Sequence, residues 1–257
     1  MMPILFVGHG SPENATEDNE FTRRWKKLAS SIPKPKAILS VSAHWLKEGT
    51  AVTTMEYPRT IHDFYGFPED LYRIEYKAPG SPKLADRIKT LVRCTGVNMD
   101  HEWGIDHGTW SVLLNMYPKA DIPVLQLSLD YYLPFEKQYQ IGAELAPLRD
   151  EGVLILGSGN LVHNLMMIDP SAKPYDFAVD FDLFVKAKLE ARDDAPLINF
   201  TSHKLSSSAH PTYDHYLPLL YALGASQGEK PQFFNDKIVF GSVSMRCAVF
   251  GAGALEL

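Results

Sequence analysis

The stretch PILFVGHGSP, Pro3–Pro12, decides the fold of this 257-residue chain. Ile4, Leu5, Phe6 and Val7 run without a polar break between a proline and a glycine. Such a run has no solvent side, so it reads as a short strand buried on both faces. Strands of that kind belong to α/β sheets covered by helices, and such sheets place their ligands at the C-terminal ends of the strands. His9 stands at that end. On this stretch alone, it reads equally well as a loop histidine hydrogen-bonded to neighbouring backbone.

The rest of the chain repeats the alternation of apolar runs and helical patterns. KAILSVSAHW (Lys36–Trp45) reads as a second strand, and TAVTTME (Thr50–Glu56), with its β-branched residues, as a third. SPKLADRIKTLVRC opens on a Ser-Pro helix entry at Ser81 and Pro82, with Leu84, Ile88, Leu91 and Val92 at helical spacing. TWSVLLNMY (Thr109–Tyr117) predicts a short buried helix and IPVLQLSLD (Ile122–Asp130) a central strand. FEKQYQIGAELAPLRD reads as a helix and VLILGSG (Val153–Gly159) as a strand. YDFAVDFDLFVKAKLEAR is amphipathic, with Phe177, Phe181, Phe184, Val185 and Leu189 on one face. After the apolar HYLPLLYALGA, KIVFGSVSMRCAVFG predicts two strands joined near Gly241. No repeat or linker interrupts the pattern. Residues 1–257 therefore read as a single α/β domain, its mostly parallel central sheet flanked by helices and its site at the strand C-terminal edge.

Composition narrows the function classes. The net charge is −6 and no Lys/Arg cluster occurs, which argues against a nucleic-acid or anionic-membrane partner. No run approaches the roughly 18 apolar residues of a bilayer span, and MMPILFVGHG lacks the basic start of a secretory signal. Cys94 and Cys247 are far apart and form no CxxC, as expected of buried thiols in a reducing compartment. The expectation is a soluble, cytoplasmic protein.

Three strands end in the same way. ILFVG leads to His9, AILSVSA to His44 and VLILGSGNLV to His163. Parallel neighbours in one sheet would bring these residues together along one edge. Neutral imidazole is a common ligand of Zn, Fe and Cu, so the convergence points to a transition-metal site. There is no HExxH and no Cys/His knuckle, so the inference rests on topology; three unrelated loop histidines are the alternative. GIDHGTW puts His107 at a helix mouth after Asp106, with Thr109 as a candidate N-cap. That pair reads either as a helix-entry contact or as functional. HPTYDHYLPLLYALG places His210 before a proline and His215 at the start of an apolar helix. His62, Phe64, Tyr65 and Phe67 share the loop TIHDFYGFP, which reads either as a pocket wall or as core packing. His101 and His203 read as surface residues.

In order along the chain, GHGSP, VSAHW, IHDFYGFP, APGSP, DHGTW, ADIPVLQLSLD, GSGNLVHN and HYLPLLYALGA resemble the DOPA 4,5-extradiol dioxygenase family. That family belongs to the class III extradiol group, which includes the catalytic subunit of protocatechuate 4,5-dioxygenase. The resemblance is weakest between Met166 and Leu205 and at the extreme C-terminus. It implies a catalytic domain using non-haem Fe(II) and O₂ to open a catechol ring next to its hydroxyls, with a DOPA-like substrate in view. By matching motifs, His9 and His44 would be metal ligands. His163 matches an acid/base, which in some zinc-containing members also reaches the metal. His107 matches a second histidine that contacts substrate or oxygen. The segment DHYLPLL matches the one supplying the last ligand, a glutamate in protocatechuate-type enzymes and a histidine in the DOPA-type branch. His215 is accordingly the expected ligand, and the Asp214 side chain is expected to point elsewhere. A site this rich in imidazole also accommodates Zn(II).

Three other readings stay open at this point. VGHGS after a strand is also similar to the small cobalt chelatases of tetrapyrrole biosynthesis. The same histidines with zinc could support hydrolysis, or a metal-containing binding protein could have lost turnover.

Overall fold

The computed structural model describes every residue except Ala172, Ala254, Glu256 and Leu257. The run after Pro3 forms strand β1 (Ile4–Gly8), all of it buried. Helix α1 (Glu20–Ser31), β2 (Ala37–Lys47) and β3 (Thr50–Thr53) follow, then α2 (Pro82–Leu91), β4 (Val97–Asp100) and α3 (His107–Met116). The central part continues with β5 (Val124–Asp130), α4 (Phe135–Leu145), β6 (Val153–Gly159) and α5 (Asp176–Ala191). Two short helices, α6 (Asp194–Ile198) and α7 (Ser206–Ala209), precede α8 (Leu217–Ala225). The chain then adds β7 (Pro231–Phe234), β8 (Ile238–Val239), β9 (Val243–Ser244) and β10 (Cys247–Phe250).

Eight strands join in the order β4-β3-β5-β2-β6-β1-β10-β7. The middle of the sheet, β5-β2-β6-β1, is parallel throughout, while β3 meets β5, and β10 meets β1 and β7, antiparallel. Side chains alternate between the faces, as period two demands. Ile4 and Phe6 enter the core under α2, α4, α5 and α8; Leu5 and Val7 enter the one under α1 and α3. Both faces are covered, which is why β1 carries no polar side. Helix α8 is buried along its whole length between α4 and the sheet, so its sequence is apolar all round.

The edges depart from the sequence reading. Nothing in the sequence pattern marks β4 and β7, because short, half-exposed edge strands carry no continuous apolar run. The strand expected over Thr50–Glu56 stops at Thr53. Gly241 does lie in the turn of a hairpin, β8–β9, but the third C-terminal segment, β10, joins the main sheet separately. Helix α1 is a further addition. It starts at an Asn19–Thr22 capping box and buries Trp25 and Leu28. No helix among the described residues is long and apolar enough to cross a membrane.

Candidate metal and catalytic site

The order β2-β6-β1 brings the C-terminal ends of the three histidine-bearing strands side by side. His9 follows β1, and its N–H donates to the Gly159 carbonyl at the end of β6 (3.2 Å). His44 lies inside β2, where the register with β5 jumps: Val41 faces Leu127, but Leu46 faces Leu129. The residues between are bulged out of the ladder, which re-aims His44 toward the edge. Beyond β6 the chain passes Asn160, whose N–H donates to the His215 carbonyl (2.9 Å), and reaches His163, whose N–H donates to the Ala209 carbonyl (2.9 Å). Gly159 permits this approach; a Cβ there would stand 2.2 Å from the His215 carbonyl oxygen.

Each of three imidazoles is held through Nδ1. His9 Nδ1 lies 3.0 Å from Ser158 Oγ, and the Ser158 hydroxyl donates to the Gly108 carbonyl (2.5 Å). Ser158 therefore accepts from His9, fixing the proton on Nδ1. His44 Nδ1 lies 3.1 Å from one oxygen of Asp63. His215 Nδ1 contacts the carboxylate of Asp214. The Asp214 side chain thus turns toward the ring next to it, contrary to the expectation that it points elsewhere. With Nδ1 committed, Nε2 is the lone-pair nitrogen of each ring. His9 and His44 present these nitrogens to each other across 3.1 Å. Two acceptors cannot face one another, so a proton or a cation must lie between them. A cation suits this pair, with the His107 ring 4.0 Å from His44 and the His215 ring 5.3 Å from His9 and 5.1 Å from His44, centroid to centroid. The residues fit a metal.

Asp63 does more than hold His44. Its other oxygen lies 3.0 Å from His107 Nδ1 and accepts the His107 backbone N–H at 3.0 Å. Burial alone would raise this carboxyl, but the bonds to His107 and His44 hold it far below the usual carboxylate range. Burial opposes a charge on His44, yet the bond to Asp63 and the charges of Asp106, Asp63 and Asp214 raise its pKa. His9 and His215 are pushed well below their ordinary value by burial, then by the neighbouring imidazoles. Burial and His44 also lower His107, and burial brings His163 down to about 4.

All five predicted site histidines meet here. Ligating atoms of His9, His44 and His107 lie within 4.8 Å of one another, and so do those of His163, Asp214 and His215. His163 stacks on His215 with centroids 3.4 Å apart and planes 7° from parallel. The others stand apart. His62 Nε2 meets the Ile74 carbonyl (2.9 Å), His101 is exposed, and His203 stacks on Phe184. The α3 N-cap is Asp106, not Thr109: its carboxylate accepts from Thr109 N–H (3.1 Å), Ser42 Oγ (2.8 Å) and Gln126 Nε2 (2.7 Å). Asp63 and Ser158 are absent from the sequence reading. No spacing signal marks Asp63, although a carboxylate enclosed by the aromatic run HDFYGF is a visible cue.

The imidazoles floor a cavity of about 480 Å³, a size suited to one small molecule. Phe64, Tyr65 and Phe67 wall one side, and Leu165, Ile168 and Phe240 also line it. Phe64 stands edge-on to His107, centroids 5.4 Å apart. A flat ring with polar substituents at one end fits a cavity of this make-up.

Comparison with known proteins points to one family. The family described as the catalytic LigB subunit of aromatic ring-opening dioxygenase matches residues 2–251. A protein of Escherichia coli (strain K12) named 4,5-DOPA dioxygenase extradiol is 48% identical over 97% of this chain and 95% of its own length. A Beta vulgaris protein of the same name is 40% identical, covering 86% of each. The crystal structure of an uncharacterized protein from Escherichia coli K12 superposes with a TM-score of 0.86 at 44% identity, over 98% of this chain and 100% of that one.

Proposed function

Since this chain belongs to the family of the catalytic LigB subunit of aromatic ring-opening dioxygenase, we propose that His9, His44 and His215 hold an Fe(II) ion and that His163 moves the proton in opening a DOPA-like catechol. The protein is an extradiol ring-cleaving dioxygenase, an oxidoreductase dependent on a metal. Chelatase, hydrolase and turnover-free binding readings have no support in that family. The observation carrying the ligand assignment is the pair of facing Nε2 atoms of His9 and His44, 3.1 Å apart; His215, whose ring stands 5.3 and 5.1 Å from theirs, is taken as the third ligand over His107 because of its motif.

A bound metal supplies Lewis acidity toward the catechol hydroxyls and a redox path to O₂. Zinc has no redox chemistry, so it can fill such a site without supporting the reaction. His163 is unprotonated at neutral pH, because burial brings it to about 4, and it accepts the remaining phenolic proton. After ring attack the same group returns that proton. His107, held by Asp63 and lining the cavity, donates to or accepts from an oxygen of the substrate or of O₂. The aromatic wall of Phe64 and Phe67 orients the ring and keeps water from it. The protein is read as acting on a soluble small molecule inside the cell, without a nucleic-acid or membrane partner.

The test is oxygen uptake by Fe(II)-loaded protein against a catechol panel that includes DOPA, caffeate and protocatechuate. One O₂ consumed per catechol with a yellow ring-fission product is expected. His9→Ala and His44→Ala should lose both the metal and the product. Wild-type metal content in both variants would overturn the ligand assignment.

A further inference from the structure

The carboxylates lining the cavity have no lysine or arginine to answer them. Asp63 is committed to His44 and His107, which leaves Glu13 as the other carboxylate; among the described lining residues there is no Lys or Arg. Glu13 sits in the 3-10 turn Pro12–Ala15, four residues after His9. Its carboxylate accepts from the Ser11 hydroxyl (3.0 Å), and its own N–H donates back to Ser11 Oγ (3.2 Å). The turn thus holds an anion at the half-buried side of a cavity whose other lining beyond the histidines is largely apolar. Away from the metal floor of a low-dielectric cleft, a fixed anion favours a cationic group placed beside it and disfavours an anionic one.

We propose that Glu13 recognises an ammonium group on the side chain of the catechol, so that the cavity prefers amine-bearing catechols to those carrying a carboxylate alone. The inference rests on the reading that this cavity opens catechol rings. With the two hydroxyls toward the imidazole floor and the ring along Phe64 and Phe67, the substituent is directed away from the floor. An ammonium there gains a charge-assisted bond to Glu13. A carboxylate there meets Glu13 with no lysine or arginine among the described lining residues to offset it. Glu13 is a specificity determinant, separate from the groups that handle the ring.

The experiment compares kcat/KM of the Fe(II)-loaded enzyme for dopamine, 3-(3,4-dihydroxyphenyl)propionate and 4-methylcatechol. Wild type should prefer dopamine to the propionate by about tenfold or more, the scale of one gained and one opposed charge contact. Glu13→Gln should compress that ratio to within about threefold, the loss for dopamine falling on KM. Glu13→Lys should invert it. A preference for the propionate, or a dopamine preference that neither variant moves, overturns the role of Glu13 while leaving ring opening intact. Failure to cleave even 4-methylcatechol overturns the reading of the reaction itself, and this inference with it.

Discussion

Gly108, in the first turn of α3, offers a test of the histidine cluster that touches no histidine. A Cβ at this position would stand 2.8 Å from His44 Cδ2, 2.9 Å from Ser42 Oγ and 3.4 Å from His9 Cε1. Ordinary carbon contacts lie at about 3.5–4.0 Å, so in Gly108→Ala the His44 ring must withdraw by about 0.7 Å. It cannot do so freely. Its Nδ1 is held by Asp63 at 3.1 Å, and Ser42 is held by Asp106 at 2.8 Å. A shift approaching 1 Å at a reacting centre costs about 10²-fold in rate, and disturbing the support of a ligand costs about 10–100-fold in metal affinity. The fold should survive, because alanine favours a helix over glycine by up to about 1 kcal/mol. The assay is a chelator-competition titration, with oxygen uptake and an unfolding curve on the same sample. Gly96→Ala serves as the control, since a Cβ there meets nothing within 4 Å. Wild-type metal affinity and turnover in Gly108→Ala would refute the placement of the metal between His9 and His44.

Other expectations follow from single contacts. His163→Gln should keep most of the metal and lose about 10²-fold or more in turnover; loss of the metal in an elemental assay would make His163 a ligand instead. Asp63→Asn and Asp214→Asn, each removing a carboxylate from a ring Nδ1, should each weaken metal binding by about 10–100-fold in the same chelator titration, and unchanged binding would show that the contacts orient nothing. His210 is buried, with Nε2–H donating to the Leu161 carbonyl (2.8 Å), and burial pushes its pKa down to about 4 from an ordinary 6.5. A ring depressed in the native state refuses a proton that the unfolded chain accepts. Stability is therefore unaffected above about pH 6.5 and falls by roughly 3 kcal/mol between there and about pH 4. Urea unfolding at several pH values should show His210→Gln losing that part of the slope; identical slopes would refute it.

The site was legible where it hangs on strands. His9, His44 and His163 each follow an apolar run, and the right order of parallel strands was enough to bring them together. His215 and His107 became legible through motif resemblance, not through spacing. What stayed hidden was made by tertiary contact. Asp63 meets a backbone 44 positions away, and Ser158 reaches His9 across 149; no local periodicity records such pairs. The bulge in β2 was hidden too, because it is a mismatch between strands and not a property of either. Asp214 departs from expectation because adjacent side chains diverge along a regular element but not in the irregular turn before α8.

Asp63 and Phe64 are consecutive, yet they serve different parts of the molecule. One residue tethers two imidazoles and the next forms the wall against which a ring would lie. Loop exchange between relatives, the usual way of retuning a pocket, would therefore disturb the metal site whenever it replaced this wall. Elsewhere on the lining, Ile168 and Phe240 are exposed, and neither adjoins any of the five imidazoles in sequence. Divergence toward new aromatic compounds has that part of the cavity on which to act without resetting the chemistry, while the side with Asp63 is held in place by mechanical necessity.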